Sequence, residues 1–218
     1  MPYEAKVFRV LIASPSDVDD EREMVAATIQ SWNDLHSASR KIVLLPLRWE
    51  THSAPEYGVR PQEVINRAIV DDCDLLVGIF WTRIGSPTGK ADSGTLEEID
   101  RVGKAGKPVM LYFSRIPVDP ETIDLEQVEK LKKFKKNTYP QGLVESYKSL
   151  TDFREKISRQ LELKVRELQR RETSGPPPVS FSLISTETKL PAGAELSATI
   201  YDHSVADLSE VPEKIVRK

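Results

Sequence analysis

Short apolar runs alternate with segments of helical periodicity along most of the chain. Between the runs, apolar residues recur at intervals of three and four, which is the spacing of amphipathic helices. Strands that alternate with helices predict right-handed crossovers and a doubly wound α/β fold with a parallel sheet. The five predicted strands cover residues 6–13, 41–47, 75–81, 108–113 and 142–147.

One proline is consistent with the strand order expected of a doubly wound sheet. Pro46 lies in the second predicted strand and has no backbone N–H for a ladder bond, so this strand belongs at an edge. The order 2-1-3-4-5 places it there. The third strand, 75–81, is the most continuously apolar run and is expected at the centre of the sheet.

The segments that connect the strands carry recognisable boundary signals. Ser16 is the expected N-cap of a first helix at 17–37, and Pro61 opens a second one. Segment 48–60 has no clean period and predicts a loop of a length that usually serves a function or is disordered.

The C-terminal part differs in composition. Residues 1–172 form the predicted α/β domain, and the Pro-rich segment 173–178 is typical of a linker. Within residues 179–218, segments 179–185 and 194–200 alternate in the way that two strands of a β-hairpin do. This β-rich tail is either an appendage that docks on something or the start of a further domain.

Composition narrows the function classes. The 218 residues carry a formal net charge of -3, which argues against a nucleic-acid-binding surface. Residues 1–9 lack a signal-peptide core and no apolar run is long enough for a membrane span, so we expect a cytoplasmic protein without a membrane partner. Cys73 is the single cysteine and is expected in the core, and the three histidines lack metal-ligand spacing, so no metal is expected.

The candidate chemistry centres on one helix within residues 86–114. Leu96, Ile99 and Val102 share its apolar face, and Glu98 lies about 40° from Val102, at the edge of that face. An acid at this edge would be partly desolvated and still able to reach a ligand. Glu97 points away from the apolar face.

In a doubly wound sheet, ligands bind beyond the carboxyl ends of the strands, where the strand order reverses. The segments that converge there offer aromatic rings, a guanidinium group, hydroxyl groups and one acid, which suit a nucleotide. An ordinary structural role remains open for each residue: strand-end packing for Trp81, or a surface ion pair of Glu98 with Arg101 or Arg22. The candidate site residues are Ser14, Ser16, Trp49, Tyr57, Trp81, Arg83, Ser93, Thr95 and Glu98.

Three segments carry a family resemblance: LIASPSDVDDER, VINRAIVDDCDLLVGIFWTRIGSP, and SGTLEEIDRV with the GKPVMLYF that follows it. They resemble the TIR-like domain of bacterial proteins of the domain-of-unknown-function 4062 group, which is related to TIR NAD hydrolases. The resemblance covers residues 6–115 well and extends loosely to 171, and it implies a flavodoxin-like, TIR-like fold. SGTLEE is similar to the GT-x-x-E step of nucleoside 2-deoxyribosyltransferases, and TLEEI to the C-L-x-E-L step of TIR domains. Both similarities align the catalytic glutamate with Glu98.

The resemblance implies an enzyme that cleaves the nicotinamide–ribose bond of NAD, with NAD as substrate and no separate cofactor. Glu98 would orient the ribose hydroxyls and stabilise an oxocarbenium-like transition state, or act as nucleophile. Trp81 or Trp49 would stack on a base, and Arg83 would meet a phosphate or ribose. The resemblance also implies a homo-oligomer on activation and a role in bacterial antiphage or cell-suicide signalling.

Two other functions remain open. One is a nucleoside or nucleotide N-glycosidase or deoxyribosyltransferase, for which free nucleosides would be the substrate. The other is a non-enzymatic module that self-associates through the same fold and binds a partner protein through residues 179–218.

Overall fold

A computed structural model describes residues 2–52, 54, 56–138, 140 and 142–173. The predicted hairpin at 179–218 and all but the first residue of the predicted linker lie outside the described residues. Thr173, the first residue of that linker, is instead the last residue of a helix.

The strands are β1 (Lys6–Ala13), β2 (Ile42–Leu47), β3 (Leu75–Phe80), β4 (Val109–Ser114) and β5 (Glu145–Tyr147). They form a parallel sheet in the order β2-β1-β3-β4-β5, so the predicted fold class and strand order are confirmed. β2 lies at an edge, as Pro46 predicts, and Pro46 is in register with Val10 of β1. Every residue of β3 is buried, as expected for a central strand covered on both faces.

Helices cover both faces of the sheet. No helix in the described ranges combines the length and apolar character that a membrane crossing needs. The third helix continues into a π-helical turn, and a 3₁₀ turn (Pro120–Thr122) precedes the fifth. The helices are α1 (Asp19–Arg40), α2 (Trp49–His52), α3 (Pro61–Ile65) with its π-helical continuation (Asn66–Val70), α4 (Gly94–Lys104), α5 (Leu125–Thr138) and α6 (Leu150–Thr173).

The core divides between the two faces because side chains alternate along each strand. Val10 and Ile12 of β1 pack with Trp32 of α1 and Phe153 of α6 on one face. On the other face, Leu11 packs in a cluster with residues of the π-helical turn and α4. The second face therefore brings β1, α3 and α4 together near the carboxyl end of β1.

Three boundary predictions need correction. Ser16 does not cap α1, which begins at Asp19 after Val18, and no side chain caps this end. Asp17 instead accepts hydrogen bonds from the backbone N–H groups of Thr82 (2.9 Å) and Arg83 (3.0 Å), which holds the chain in a turn before the helix. Segment 48–60 is not entirely loop, because it contains α2. The fifth strand is limited to β5, three residues shorter at its start than predicted.

Candidate functional site

A cavity of about 460 Å³ opens at the carboxyl end of β1. Its volume lies within the usual range of small-molecule sites. Leu11 and Ala13 of β1, with Ile65 and Ile69 of the helix that starts at Pro61, give it an apolar floor. Polar residues from the loop at 83–88 and from the first turns of α3 and α4 form its sides.

Most of the predicted site residues line this cavity. The loops that follow β1 and β3 converge with α2 and with the start of α4, as expected for the carboxyl edge of a doubly wound sheet. The predicted residues in the lining are Ser14, Ser16, Trp49, Arg83, Thr95 and Glu98.

Three predicted residues lie elsewhere. Ser93 is fully buried and caps α4, with its Oγ accepting a hydrogen bond from the Leu96 N–H (3.2 Å). Trp81 packs against the core and donates its Nε1–H to the Ile116 carbonyl (2.9 Å), which is the strand-end packing role. Tyr57 is fully exposed and outside the lining.

Glu98 is a buried carboxylic acid in the wall of the cavity, with 7% of its surface exposed. Its position one turn from Thr95 and one turn before Val102 keeps all three on the packed side of α4. Burial, which disfavours the charged form, raises the pKa of Glu98 to about 7, and the negative charges of Glu97 and Glu50 act in the same direction.

The hydrogen-bond partner of Glu98 is Gln62 of α3, whose Nε2 lies 3.0 Å from Oε1 of Glu98. The two arginines considered from the sequence are engaged by other acids. Arg101 pairs with Asp71, and Arg22 pairs with Asp19. Glu98 therefore forms a buried hydrogen bond with an amide, and not the surface ion pair considered from the sequence.

Glu97, the neighbour of Glu98, points away from the apolar face but is covered by α3 and the 83–88 loop. It accepts hydrogen bonds from both terminal nitrogens of Arg60 (2.6 and 2.8 Å), from Asn66 Nδ2 (2.9 Å) and from Thr88 Oγ1 (2.6 Å). The Arg60 hydrogen bonds are the main reason why the pKa of Glu97 falls to about 2. Two adjacent glutamates thus have opposite environments.

The sequence analysis missed Arg22, Arg60, Gln62 and Thr88, which also line the cavity. Gly94 is a sequence feature that is linked to the position of Gln62. A Cβ at position 94 would lie 2.4 Å from Gln62 Oε1, so this contact requires a glycine or a shift of the Gln62 side chain. The glycine lets α3 approach the start of α4 closely. Nothing in the sequence pattern pairs these two segments beforehand.

Ser14 contributes a hydroxyl group at the carboxyl end of β1. Its Oγ is buried and has no hydrogen-bond partner within the described part of the chain. A buried polar atom without a partner is costly. A ligand in the adjoining cavity could supply the missing bond.

The loop that carries Arg83 is fixed from two sides. Asp17 holds the N–H groups of Thr82 and Arg83, and Gln127 Oε1 accepts from the N–H groups of Ile84 (3.0 Å) and Gly85 (3.1 Å). Arg83 itself is half-exposed, 3.9 Å from Asp124, and can turn toward a ligand.

Metal ligation and thiol reactivity concern the His, Cys, Asp and Glu side chains of the described ranges. Those ranges hold no group of three His, Cys, Asp or Glu side chains arranged for a metal ion. Cys73 is fully buried, and burial raises the pKa of its thiol to about 11, so it is a core residue.

A family model described as "Domain of unknown function (DUF4062)" matches residues 9–162. No curated protein matches the chain.

Several solved structures are similar at low identity. A conserved protein from Enterococcus faecalis V583 is 18% identical with a TM-score of 0.38, covering 71% of this chain and 99% of its own. Oxidised flavodoxin 1 from Bacillus cereus is 12% identical with a TM-score of 0.33, covering 74% and 98%. Apo translation elongation factor SelB from Methanococcus maripaludis is 11% identical with a TM-score of 0.43, covering 77% of this chain but only 36% of its own. Similarity at these TM-scores and identities does not indicate which ligand the cavity binds.

Proposed function

The chain belongs to the DUF4062 family, and we propose that it is an NAD glycohydrolase that breaks the bond between nicotinamide and ribose. One observation carries this proposal. Among the described residues that line the cavity, Glu98 is the one carboxylic acid, whereas Arg22, Arg60 and Arg83 contribute guanidinium groups.

A single carboxylate suits a pyridinium nucleotide better than a sugar. Glycoside hydrolases use two carboxyl groups because one must protonate an alkoxide leaving group. Nicotinamide in NAD already carries the positive charge and leaves as a neutral molecule. No general acid is needed, so one carboxylate that faces the ribose is sufficient.

Glu98 acts in this reaction as an anion. The positive charge of bound nicotinamide riboside favours the ionised carboxylate and lowers its pKa from about 7. As the bond breaks, positive charge moves to the ribose, and a carboxylate in a poorly solvated wall stabilises that charge more strongly than it would in water.

The rest of the cavity supports a nucleotide. Its volume of about 460 Å³ accommodates the nicotinamide riboside half, with the remainder of NAD extending across the rim. Arg83 lies in the lining and offers charge-assisted hydrogen bonds to the diphosphate. Trp49 is half-exposed in the same lining and offers a ring for stacking.

Activation by assembly is part of the proposal and follows the resemblance of residues 6–115 to TIR-like domains. A role in antiphage or cell-suicide signalling follows from the same resemblance.

The proposal is tested by following nicotinamide release from NAD at high protein concentration. We compare the wild type with Glu98→Gln and with Asp100→Asn, which changes an exposed carboxylate on the same helix. The wild type and Asp100→Asn should release nicotinamide. Glu98→Gln should be slower by a factor on the order of 10³, since it removes the charge that stabilises the transition state.

Absence of release, even with a crowding agent that forces assembly, would overturn the proposal. Release of a base from free nucleosides by the same samples would then indicate the nucleoside N-glycosidase or deoxyribosyltransferase. Assembly without turnover, unchanged in Glu98→Gln, would indicate the non-enzymatic module.

A further inference from the structure

A continuous chain of hydrogen bonds links the Arg60–Glu97 ion pair to Glu98 through two buried amides. Asn66 is fully buried and Gln62 is 8% exposed. We propose that Gln62 is a positioning residue that holds the Glu98 carboxylate in the cavity wall, and that Asn66 fixes the direction of the Gln62 amide. This inference rests on the proposed function, in which Glu98 is the reacting group.

The direction of the chain is set at Glu97. An ionised carboxylate can only accept hydrogen bonds, and the ion pair with Arg60 keeps Glu97 ionised. Asn66 must therefore turn its NH₂ group toward Glu97, where Nδ2 lies 2.9 Å from Oε1. Its carbonyl oxygen, Oδ1, consequently faces the other way.

The next amide follows from the first. Asn66 Oδ1 can only accept, so Gln62 turns its Nε2 toward it at 3.3 Å. The second hydrogen of the same NH₂ group points to Glu98 Oε1 at 3.0 Å. Gln62 is thus held as a donor to Glu98, an orientation that favours the carboxylate over the protonated acid.

Two backbone features bring the amides into place. The π-helical turn (Asn66–Val70) starts at Asn66, and such turns are frequent at functional sites. At the other end, the missing Cβ of Gly94 leaves room for Gln62 Oε1, which a Cβ would approach to 2.4 Å. A methyl group there would displace the Gln62 side chain.

The charged and titratable groups around Glu98 show why one donor matters. Glu97 on the same helix and Glu50 on α2 both disfavour a further negative charge, and burial does so most strongly. Cys73, before β3, remains a neutral thiol because burial raises its pKa to about 11. The hydrogen bond from Gln62 acts against them and lowers the pKa of Glu98. The cavity arginines are Arg22, Arg60 and Arg83, each with an acidic partner at 3.9 Å or closer.

The test measures the titration of the Glu98 carboxyl carbon by NMR, with the signal assigned by its loss in Glu98→Gln. Gln62→Met keeps the length of the side chain but removes the donor. It should move the Glu98 titration upward by about one pH unit, since a hydrogen bond to a charged group accounts for about a tenfold change. Asn66→Leu should move it in the same direction by less, because Gln62 keeps its place but loses its fixed orientation.

Two further variants complete the design. Gln30→Met removes a surface amide–carboxylate bond of the same kind, to Asp34 on α1, and should leave Glu98 unchanged. Gly94→Ala leaves the Gln62 residue in the sequence but displaces its side chain, so it should reproduce the upward shift of the Glu98 titration. The proposal therefore stays testable if Gln62→Met fails to fold.

An unchanged Glu98 titration in both Gln62→Met and Gly94→Ala would overturn the proposal, whether or not NAD is cleaved. A shifted titration together with absent nicotinamide release would support the positioning role of Gln62 and reject the proposed function. If NAD is cleaved, the acidic limb of the pH–rate profile should move by the same amount as the titration.

Discussion

Two cavities lie at the carboxyl edge of the same sheet, and Ser16 lines both. The first, of about 460 Å³, has Glu98 as its one acid among the described lining residues, together with three arginines. The second, of about 370 Å³, contains Trp81 and four acids: Asp17, Asp19, Asp20 and Glu21. Their charges are opposite although the fold rule that predicts a ligand site applies to both.

Two of the acids in the second cavity, Asp17 and Glu21, hold parts of the fold together. Asp17 holds the backbone of the loop that carries Arg83. Glu21 accepts a buried hydrogen bond from the Tyr147 hydroxyl (2.9 Å), which ties α1 to β5. Electrostatics therefore favour the first cavity as a nucleotide site, because the four acids of the second cavity would repel the phosphates of a nucleotide.

The acid of the first cavity, Glu98, is expected to have the strongest influence on stability. Glu98 has a pKa of about 7 when folded against an ordinary 4.5, so the unfolded chain ionises first as the pH rises. The folded protein thus loses stability between these values, whereas Gln at this position does not. Glu98→Gln should be more stable than the wild type at pH 8 by up to about 3 kcal/mol, with no such difference below pH 4. Urea unfolding at the two pH values measures this.

The neighbouring acid provides the opposite control. The pKa of Glu97 is lowered to about 2, mainly by Arg60, so its contribution to stability is present above 4.5 and disappears as the pH falls through 2. Glu97→Gln should therefore destabilise the protein at pH 8 by roughly 1–2 kcal/mol. Equal effects of the two substitutions at pH 8 would contradict the assigned environments.

The two tryptophans separate packing from ligand contact. Trp81 packs on the core and donates to Ile116, so Trp81→Ala should reduce the free energy of unfolding by roughly 2–3 kcal/mol. It should leave the KM for NAD of the folded protein unchanged. Trp49 is half-exposed in the first cavity, so Trp49→Ala should alter stability little and raise KM. A raised KM in folded Trp81→Ala would place a base in the second cavity instead.

One charged residue from each cavity can be compared through its influence on the KM for NAD. Arg83→Ala removes a cation from the first cavity and should raise KM for NAD about tenfold, as expected for one charge-assisted hydrogen bond of about 1.4 kcal/mol. Asp20→Asn removes an acid from the second cavity and should change KM by less than about twofold. Steady-state kinetics at constant ionic strength measures both. A KM that stays at the wild-type value in both variants would show that neither charge meets the substrate.

Much of the molecule is determined locally and was predictable from the sequence. The alternating runs gave the elements, and Pro46 gave the edge strand, because a missing N–H is a property of the residue itself. The position of Glu98 beside Val102 also follows from helical geometry alone. The capping prediction failed at Ser16, because Asp17 bonds a loop 65 residues away and the helix starts later.

The contacts between polar side chains of different helices depend on tertiary packing and could not be predicted from the sequence. Gln62 and Glu98 are 36 residues apart, and their contact depends on a π-helical turn and on the open space at Gly94, neither of which leaves a periodic pattern. The same holds for the separation of Trp81 from Trp49 into different cavities. Sequence patterns report which face of an element is apolar, whereas the pairing of polar groups across elements, and hence the proton affinity of Glu98, is fixed by packing.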